Sequence, residues 1–259
     1  MNLTELDEIS WSIHPNILSA KRNKTDAEYI NLIIRDMGNK TGKRYKTILD
    51  VPCGSGRLHP YLRKYGYRIY GVDINSRLTK HAKKLFSKYA ADYQTANMKS
   101  FSLEKKFDVV LCWFTSFGYL SKRDDGLALR SFAMHLNDKG ILLINILNAE
   151  WYLEKLKSGH VKDYDINEGE RFLRIASTYP SMKNKQLFLI HTSRIYEKSR
   201  DTLILIRTFK QAIRLYTLQE MTKMLDNAEI KIKYVFANMS LSYKKDAKSL
   251  LVIGIRSTA

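Results

Sequence analysis

Apolar and polar positions along this chain change period from one stretch to the next. Short apolar runs predict strands near 47–51, 68–72, 91–95, 108–113 and 140–147. Helical spacing fits between them, from Leu58 to Tyr65, Arg77 to Tyr89 and Asp124 to Leu136. Strands that alternate with helices imply right-handed crossovers and a parallel sheet. Upstream, Met1 to Lys46 reads as a helical preface. Thr25 and Glu28 stand at capping-box spacing there, which makes Thr25 the expected N-cap. Tyr29, Ile30, Ile33 and Ile34 form an apolar face suited to lying on a sheet, and Gly38 and Gly42 are expected to break the helix.

The pattern changes after Asn148. Trp151 to Lys157 reads as a short helix. Arg171 to Ser177, Gln186 to Tyr196 and Thr202 to Leu215 are strand-like, with turns expected at Pro180-Ser181 and at Lys198 to Asp201. Successive strands without helices argue for an antiparallel meander. Thr217 and Glu220 repeat the capping-box spacing before a helix to Ala228, and residues 230–236 and 249–255 would be closing strands.

The junction of the first strand and first helix holds the most specific chemistry. Ile48-Leu49-Asp50-Val51-Pro52-Cys53-Gly54-Ser55-Gly56-Arg57 ends a strand in an acid and breaks into a Gly-x-Gly turn. The next strand ends in a second acid, Asp73. Strand, glycine turn, helix and acid-terminated strand make a mononucleotide-binding half, in which the second acid sits where a ribose hydroxyl pair would be held. The third glycine of a dinucleotide fingerprint is missing, because His59 stands there, and no Gly-Lys-Ser/Thr closes the turn. The acid four residues before Gly54 suits a ligand with a cationic end, such as the ammonium of a methionine moiety, better than a pyrophosphate.

Those residues carry a family resemblance. The stretch from Leu49 to Arg57 resembles the first motif of class I S-adenosylmethionine (SAM)-dependent methyltransferases, and Tyr70 to Asn75 resembles their second. Phe107 to Tyr119 looks like the fourth-strand motif, and Gly140 to Asn145 like the fifth strand after its glycine turn. Single motifs of this kind are weak, but their order and spacing cover nearly the whole chain. The resemblance implies an α/β fold: a Rossmann-like, mostly parallel seven-stranded sheet with helices on both faces. A small antiparallel β cap insert and the helical preface would complete it. The expected domains are the preface at 1–46, the core at 47–150 and 215–259, and the cap insert at 151–214.

The resemblance also implies site residues. SAM, leaving as S-adenosylhomocysteine, would lie against Asp50, Pro52, Cys53, Gly54, Ser55, Gly56 and Arg57. Asp73 would accept both ribose hydroxyls, having two acceptor oxygens. Ile74 and Met98 would pack on adenine and Asn97 would accept from its amino group, where the family often has an acid. Trp113 joins this set, and Arg22 is the candidate for the SAM carboxylate. Phe114, Ser116, Phe117 and Tyr119 would face the acceptor. Tyr119 could orient or deprotonate it, and His59, just past the glycine turn, is the second catalytic candidate. A methyl on a sulfonium is already activated, so a general base is needed only for a protonated acceptor.

Composition narrows this little. The chain has 259 residues, enough for one large domain or a domain with an insert. Cys53 and Cys112 are its only cysteines, too few for a disulfide framework. His59, His135, His160 and His191 show no pair at metal spacing, so no metal is expected. No apolar run reaches the ~18 residues of a membrane span and no signal-peptide pattern opens the chain, so a cytoplasmic protein is expected. Lys and Arg total 44 against 26 acids, for a net charge of +18 spread along the chain. That reads mainly as a solvated basic surface, with nucleic acid possible but not favoured. The favoured function is methyl transfer to N or O of a small-molecule acceptor in a capped pocket. The alternatives are an RNA (tRNA) or protein methyltransferase, or a SAM-binding sensor without catalysis.

Overall fold

The structure is a computed structural model. It describes residues 19–86, 92–159, 162–237, 239–242, 244 and 246–256. Residues 1–18 of the expected preface, the last residues of the helix predicted to Tyr89, and His160 lie outside the described residues.

Seven strands form the main sheet: β1 (Thr47–Asp50), β2 (Arg68–Asp73), β3 (Asp92–Thr95), β4 (Phe107–Cys112), β5 (Leu136–Leu147), β10 (Ile230–Ala237) and β11 (Ser249–Arg256). Their spatial order is β10-β11-β5-β4-β1-β2-β3. β11 alone runs against the direction of the other six strands. The apolar runs are nearly continuous because both faces are covered. In β4, Val109 and Leu111 face one core with Ile141 and Leu143 of β5, while Val110 and Cys112 face the other with Leu142 and Ile144.

Helix α1 (Ala20–Thr41) packs Ala27, Ile30, Ile33, Ile34 and Met37 on the first of these faces. Its N-cap is Ser19, whose hydroxyl accepts from the Arg22 N–H. Thr25, the expected cap, lies inside the helix and donates to the Lys21 carbonyl. Gly38 stays helical, and the helix stops at Gly42, which takes the left-handed conformation. Short α2 (His59–Arg63) and α3 (Ser76–Phe86) connect β1 to β2 and β2 to β3. Helices α4 (Lys122–Met134) and α6 (Leu218–Asp226) cover the other face, and α6 carries the full capping box of Thr217 and Glu220.

Between β5 and α6 the chain makes α5 (Ala149–Lys157) and a second, antiparallel sheet. Its strands are β6 (Asp163–Glu168), β7 (Phe172–Lys183), β8 (Gln186–Ser199) and β9 (Thr202–Arg214), in that order. One strand more than expected is present, because β6 is largely exposed and shows no buried face. Pro180 lies within β7 and pairs with Leu189; the turn falls at Asn184-Lys185, both at positive φ, which a two-residue hairpin requires. Proline is tolerated there because β6 reaches only to Thr178, so the missing N–H costs no ladder bond on that side. The segment leaves and returns at one place, where Asn148 bridges Tyr216 in parallel.

Beside this junction Asp125 of α4 is fully buried and accepts from the Tyr216 hydroxyl at 2.7 Å. Burial pushes its carboxyl up to about 6. Between about pH 4 and 6 the folded chain keeps a proton that the unfolded chain has released, so stability should fall as pH rises through this window. Asp125→Asn, always neutral and still able to accept from Tyr216, should gain up to about 3 kcal/mol over the wild type above pH 6 and little below pH 4. Urea unfolding at the two ends of the range measures the difference.

Candidate active site

The order of the main sheet reverses at β1, between β2 and β4, and the crevice at the carboxyl ends of these strands is where open α/β sheets bind ligands. A cavity of about 330 Å³ lies there, within the range of small-molecule sites. Its floor is built from strand ends: Pro52 and Gly54 after β1, Asp73 and Ile74 at β2, Asn97 and Met98 after β3. Phe114, Ser116 and Tyr119, after β4, form a second wall.

Asp73 is the only acid facing the cavity among the described residues. One carboxylate oxygen accepts from the Gly54 N–H and the other from the Asn75 N–H, both at 2.8 Å. Burial raises its pKa above the usual carboxylate range, and the Asn75 and Gly54 N–H groups oppose that shift. Each oxygen keeps a free lone-pair position for a further donor. Asn75 caps α3 by accepting from the Arg77 and Leu78 N–H groups, so Asp73 is not spent as the cap. Ile74, Leu78, Ala96 and Met98 make an apolar slot beside it. The Asn97 side-chain oxygen accepts from the Lys99 N–H at 3.1 Å and retains a second acceptor position. A carboxylate with spare acceptors beside a flat apolar slot fits the adenosine half of SAM.

Other sequence candidates lie outside the cavity wall. Asp50 is buried and bound to His59 Nε2 at 2.9 Å, and the Tyr93 hydroxyl meets His59 Nδ1 at 2.6 Å. His59 is fully buried with both ring nitrogens engaged, so the structure places it under the turn and off the cavity wall. Gly56, at φ +70°, makes room for this pair: a Cβ would come within 2.8 Å of the Tyr93 oxygen and 3.1 Å of His59 Nδ1. Burial pushes the Cys53 thiol well up, and its sulfur donates to the Gly54 carbonyl at 3.5 Å. Ser55 does not line the cavity either. Arg57 donates to Asn23 at 2.6 Å and to Asp26 at 3.0 Å, and its guanidinium stacks over Phe114. Arg22 shares Asp26 at 3.1 Å. Arg57 thus pins α1 to the glycine turn, while the Arg22–Asp26 pair lies within the helix. Trp113 packs near Tyr29, and Phe117 packs on Tyr216, both in the core.

The loop after β4 is strained. Phe114 and Thr115 both have positive φ, and the Thr115 N–H donates to Asn145. Gly118, at φ +98°, lets this loop touch the return strand of the second sheet, since a Cβ there would lie 2.3 Å from the Arg214 carbonyl oxygen. Tyr119 faces the cavity, and its hydroxyl has no hydrogen-bond partner among the described residues; burial pushes it up to about 12.

The second sheet, expected from the sequence as a cap, supplies the remaining wall, although the sequence singled out none of its residues. Arg174 of β7, Leu189, His191 and Ser193 of β8, and Phe209, Gln211 and Ile213 of β9 face the same cavity. Cross-strand partners Leu189–Ile213, His191–Gln211 and Ser193–Phe209 put them on one face. Among the described residues no group of three or more His, Cys, Asp or Glu could hold a metal ion, and no helix is long and apolar enough to cross a membrane.

Residues 48–140 match the family model described as a methyltransferase domain. This stretch is a methyltransferase domain, and the fold is the one shared by SAM-dependent methyltransferases. Over 146 residues it is 28% identical to dTDP-3-amino-3,4,6-trideoxy-alpha-D-glucopyranose N,N-dimethyltransferase of Streptomyces venezuelae, covering 55% of this chain and 59% of that protein. Over 124 residues it is 26% identical to dTDP-3-amino-3,6-dideoxy-alpha-D-glucopyranose N,N-dimethyltransferase of Streptomyces fradiae, covering 48% and 47%. The methyltransferase match thus spans about half the length of these two curated relatives. Streptomyces venezuelae DesVI superposes with a TM-score of 0.73 at 20% identity, over 98% of this chain and 100% of the other. The sugar N-methyltransferase KedS8 of Streptoalloteichus superposes at 0.71 and 19%, over 91% and 88%. At these identities the likeness is one of fold, and it extends beyond the methyltransferase motifs to nearly the whole chain.

Proposed function

We propose that this chain transfers the methyl group of SAM to an amine nitrogen of a small hydroxylated acceptor, of the amino-sugar kind, enclosed between the core and the second sheet. The observation that carries this reading is the shared cavity: the strand ends with Asp73 and Asn97 and the inner face of the second sheet line one space. The two Streptomyces relatives, named for N,N-dimethylation of amino sugars, support the acceptor class.

In this reading Asp73 holds the ribose hydroxyls, and Asn97 with the slot of Ile74, Leu78 and Met98 holds the base. When bound, SAM supplies a methyl group already activated by its sulfonium, so positioning provides most of the acceleration. Phe114 and Tyr119 form the wall at the acceptor side. With its pKa raised to about 12, the Tyr119 hydroxyl stays protonated at neutral pH. It therefore orients the amine by hydrogen bonding and does not deprotonate it. The second sheet acts as a cap that excludes water and fixes the acceptor.

Incubation with SAM and a panel of amino sugars, free and nucleotide-linked, tests this, with S-adenosylhomocysteine measured by mass spectrometry. Turnover should require the amine and vanish with the matching hydroxy sugars. Turnover with the hydroxy sugars alone would move the reaction to oxygen. Binding of S-adenosylhomocysteine without turnover on any acceptor would favour a sensor.

A further inference from the structure

We propose that the inner face of the second sheet is an anion-binding subsite, in which Arg174, with Ser193 beside it, holds a phosphoryl or carboxylate group carried by the acceptor. This rests on the reading of the sheet as an acceptor cap. Among the described residues Arg174 is the only Lys or Arg facing the cavity, opposite the acid at the cofactor end. It is only 4% exposed, although a guanidinium is rarely withdrawn from water without a full set of partners. Its carboxylate partner is Asp165 of the edge strand β6, at 3.0 Å, whose side chain is 59% exposed. The cation is thus buried in the wall while its counter-charge sits in solvent. The other terminal nitrogen makes a longer contact of 3.4 Å with His191 Nε2. A guanidinium carries five N–H donors, so these two contacts leave donors unspent in a residue that lines the cavity.

An independent observation points to the same place. The Ser193 hydroxyl oxygen is buried and has no hydrogen-bond partner among the described residues. Ser193 stands opposite Ala176, the residue next to Arg174 on that face of β7. His191 and its cross-strand partner Gln211 continue the polar patch. Leu189, Phe209 and Ile213 surround it with apolar surface, which lowers the local dielectric and strengthens an ion pair. A surface ion pair alone would explain Arg174 but leave a buried hydroxyl orphaned, whereas an anion with several acceptor oxygens satisfies both. The acceptor is then bipartite, its nucleophile at the Phe114–Tyr119 wall and its anionic end on the cap.

The test uses the full chain saturated with S-adenosylhomocysteine. Inorganic pyrophosphate and succinate are titrated separately by calorimetry at physiological salt, so that the two sources of the anion are told apart. At least one probe should bind the wild type. Arg174→Gln should weaken it at least about tenfold, since a buried charge-assisted pair is lost. Its affinity for S-adenosylhomocysteine should stay within about twofold, because Arg174 lies on the opposite wall from Asp73. Ser193→Ala, which removes only the unpartnered hydroxyl, should weaken the probe about threefold without loss of thermal stability. Neither probe binding, or wild-type probe affinity in both variants, overturns the subsite and assigns any anion binding to the basic surface. Failure of the wild type to bind S-adenosylhomocysteine would instead count against the methyltransferase reading itself.

Discussion

Replacing Asp73 with Ala should lower the affinity for S-adenosylhomocysteine at least about a hundredfold. Two hydroxyl donors to a buried carboxylate contribute roughly 1.5–3 kcal/mol each, and about 2.7 kcal/mol is already a hundredfold. The same carboxylate accepts from the Gly54 and Asn75 N–H groups, so the variant should also lose roughly 1–3 kcal/mol of stability. A ligand pair separates the two effects. Wild type should distinguish S-adenosylhomocysteine from its 2′,3′-dideoxy analogue, and Asp73→Ala should bind both alike. If the variant still discriminates against the analogue, the ribose is held elsewhere.

Removal of the second sheet has the next largest effect. Joining the chain across residues 163–214 by a Gly-Ser link should leave S-adenosylhomocysteine affinity within about tenfold. Methyl transfer should fall about a thousandfold or more, because enclosure and orientation are lost together. Excision uncovers Ala149 and Tyr152 of α5, which pack on Leu187, Leu189 and Ile213, so a monodisperse product is a precondition. Gln211→Trp offers a second route, filling the cavity from the cap side while the core stays intact. Undiminished turnover in both variants would reduce the sheet to a structural appendage.

The core was legible because its signals are local. A strand that ends in an acid, a glycine turn and a second acid fix Asp73 and Gly54 through backbone geometry alone. Parity was not legible beyond the end of β4. Phe114 and Thr115 turn left-handed, and this breaks the alternation that would have separated cavity residues from core residues. Ser116 and Tyr119 therefore reach the cavity, while Trp113 and Phe117 turn into opposite cores. The true helix cap was missed because Thr25 and Glu28 match the capping spacing from within a helix that had already begun at Ser19. The cap-side residues were hidden for another reason. Arg174, His191, Ser193 and Gln211 come from three strands, and only the cross-strand register, a non-local property, brings them to one patch. The available hint was His191 and Ser193, two positions apart between Leu189 and Ile195 and so on one face of β8.

The parallel bridge between Asn148 and Tyr216 bears on how such a molecule diversifies. Take-off and return points of the inserted segment sit side by side, tied to the core by Asn148, whose amide donates to the Ala247 carbonyl and whose N–H donates to the Lys248 carbonyl. With the ends already joined, lengthening, shortening or exchanging the segment changes the closure entropy only logarithmically. The half that reads the cofactor is spared. If the second sheet holds the acceptor as proposed, selection can rewrite what is methylated without renegotiating how the methyl donor is held, and a chimaera grafted between these two residues should take its acceptor range from the donor of the graft.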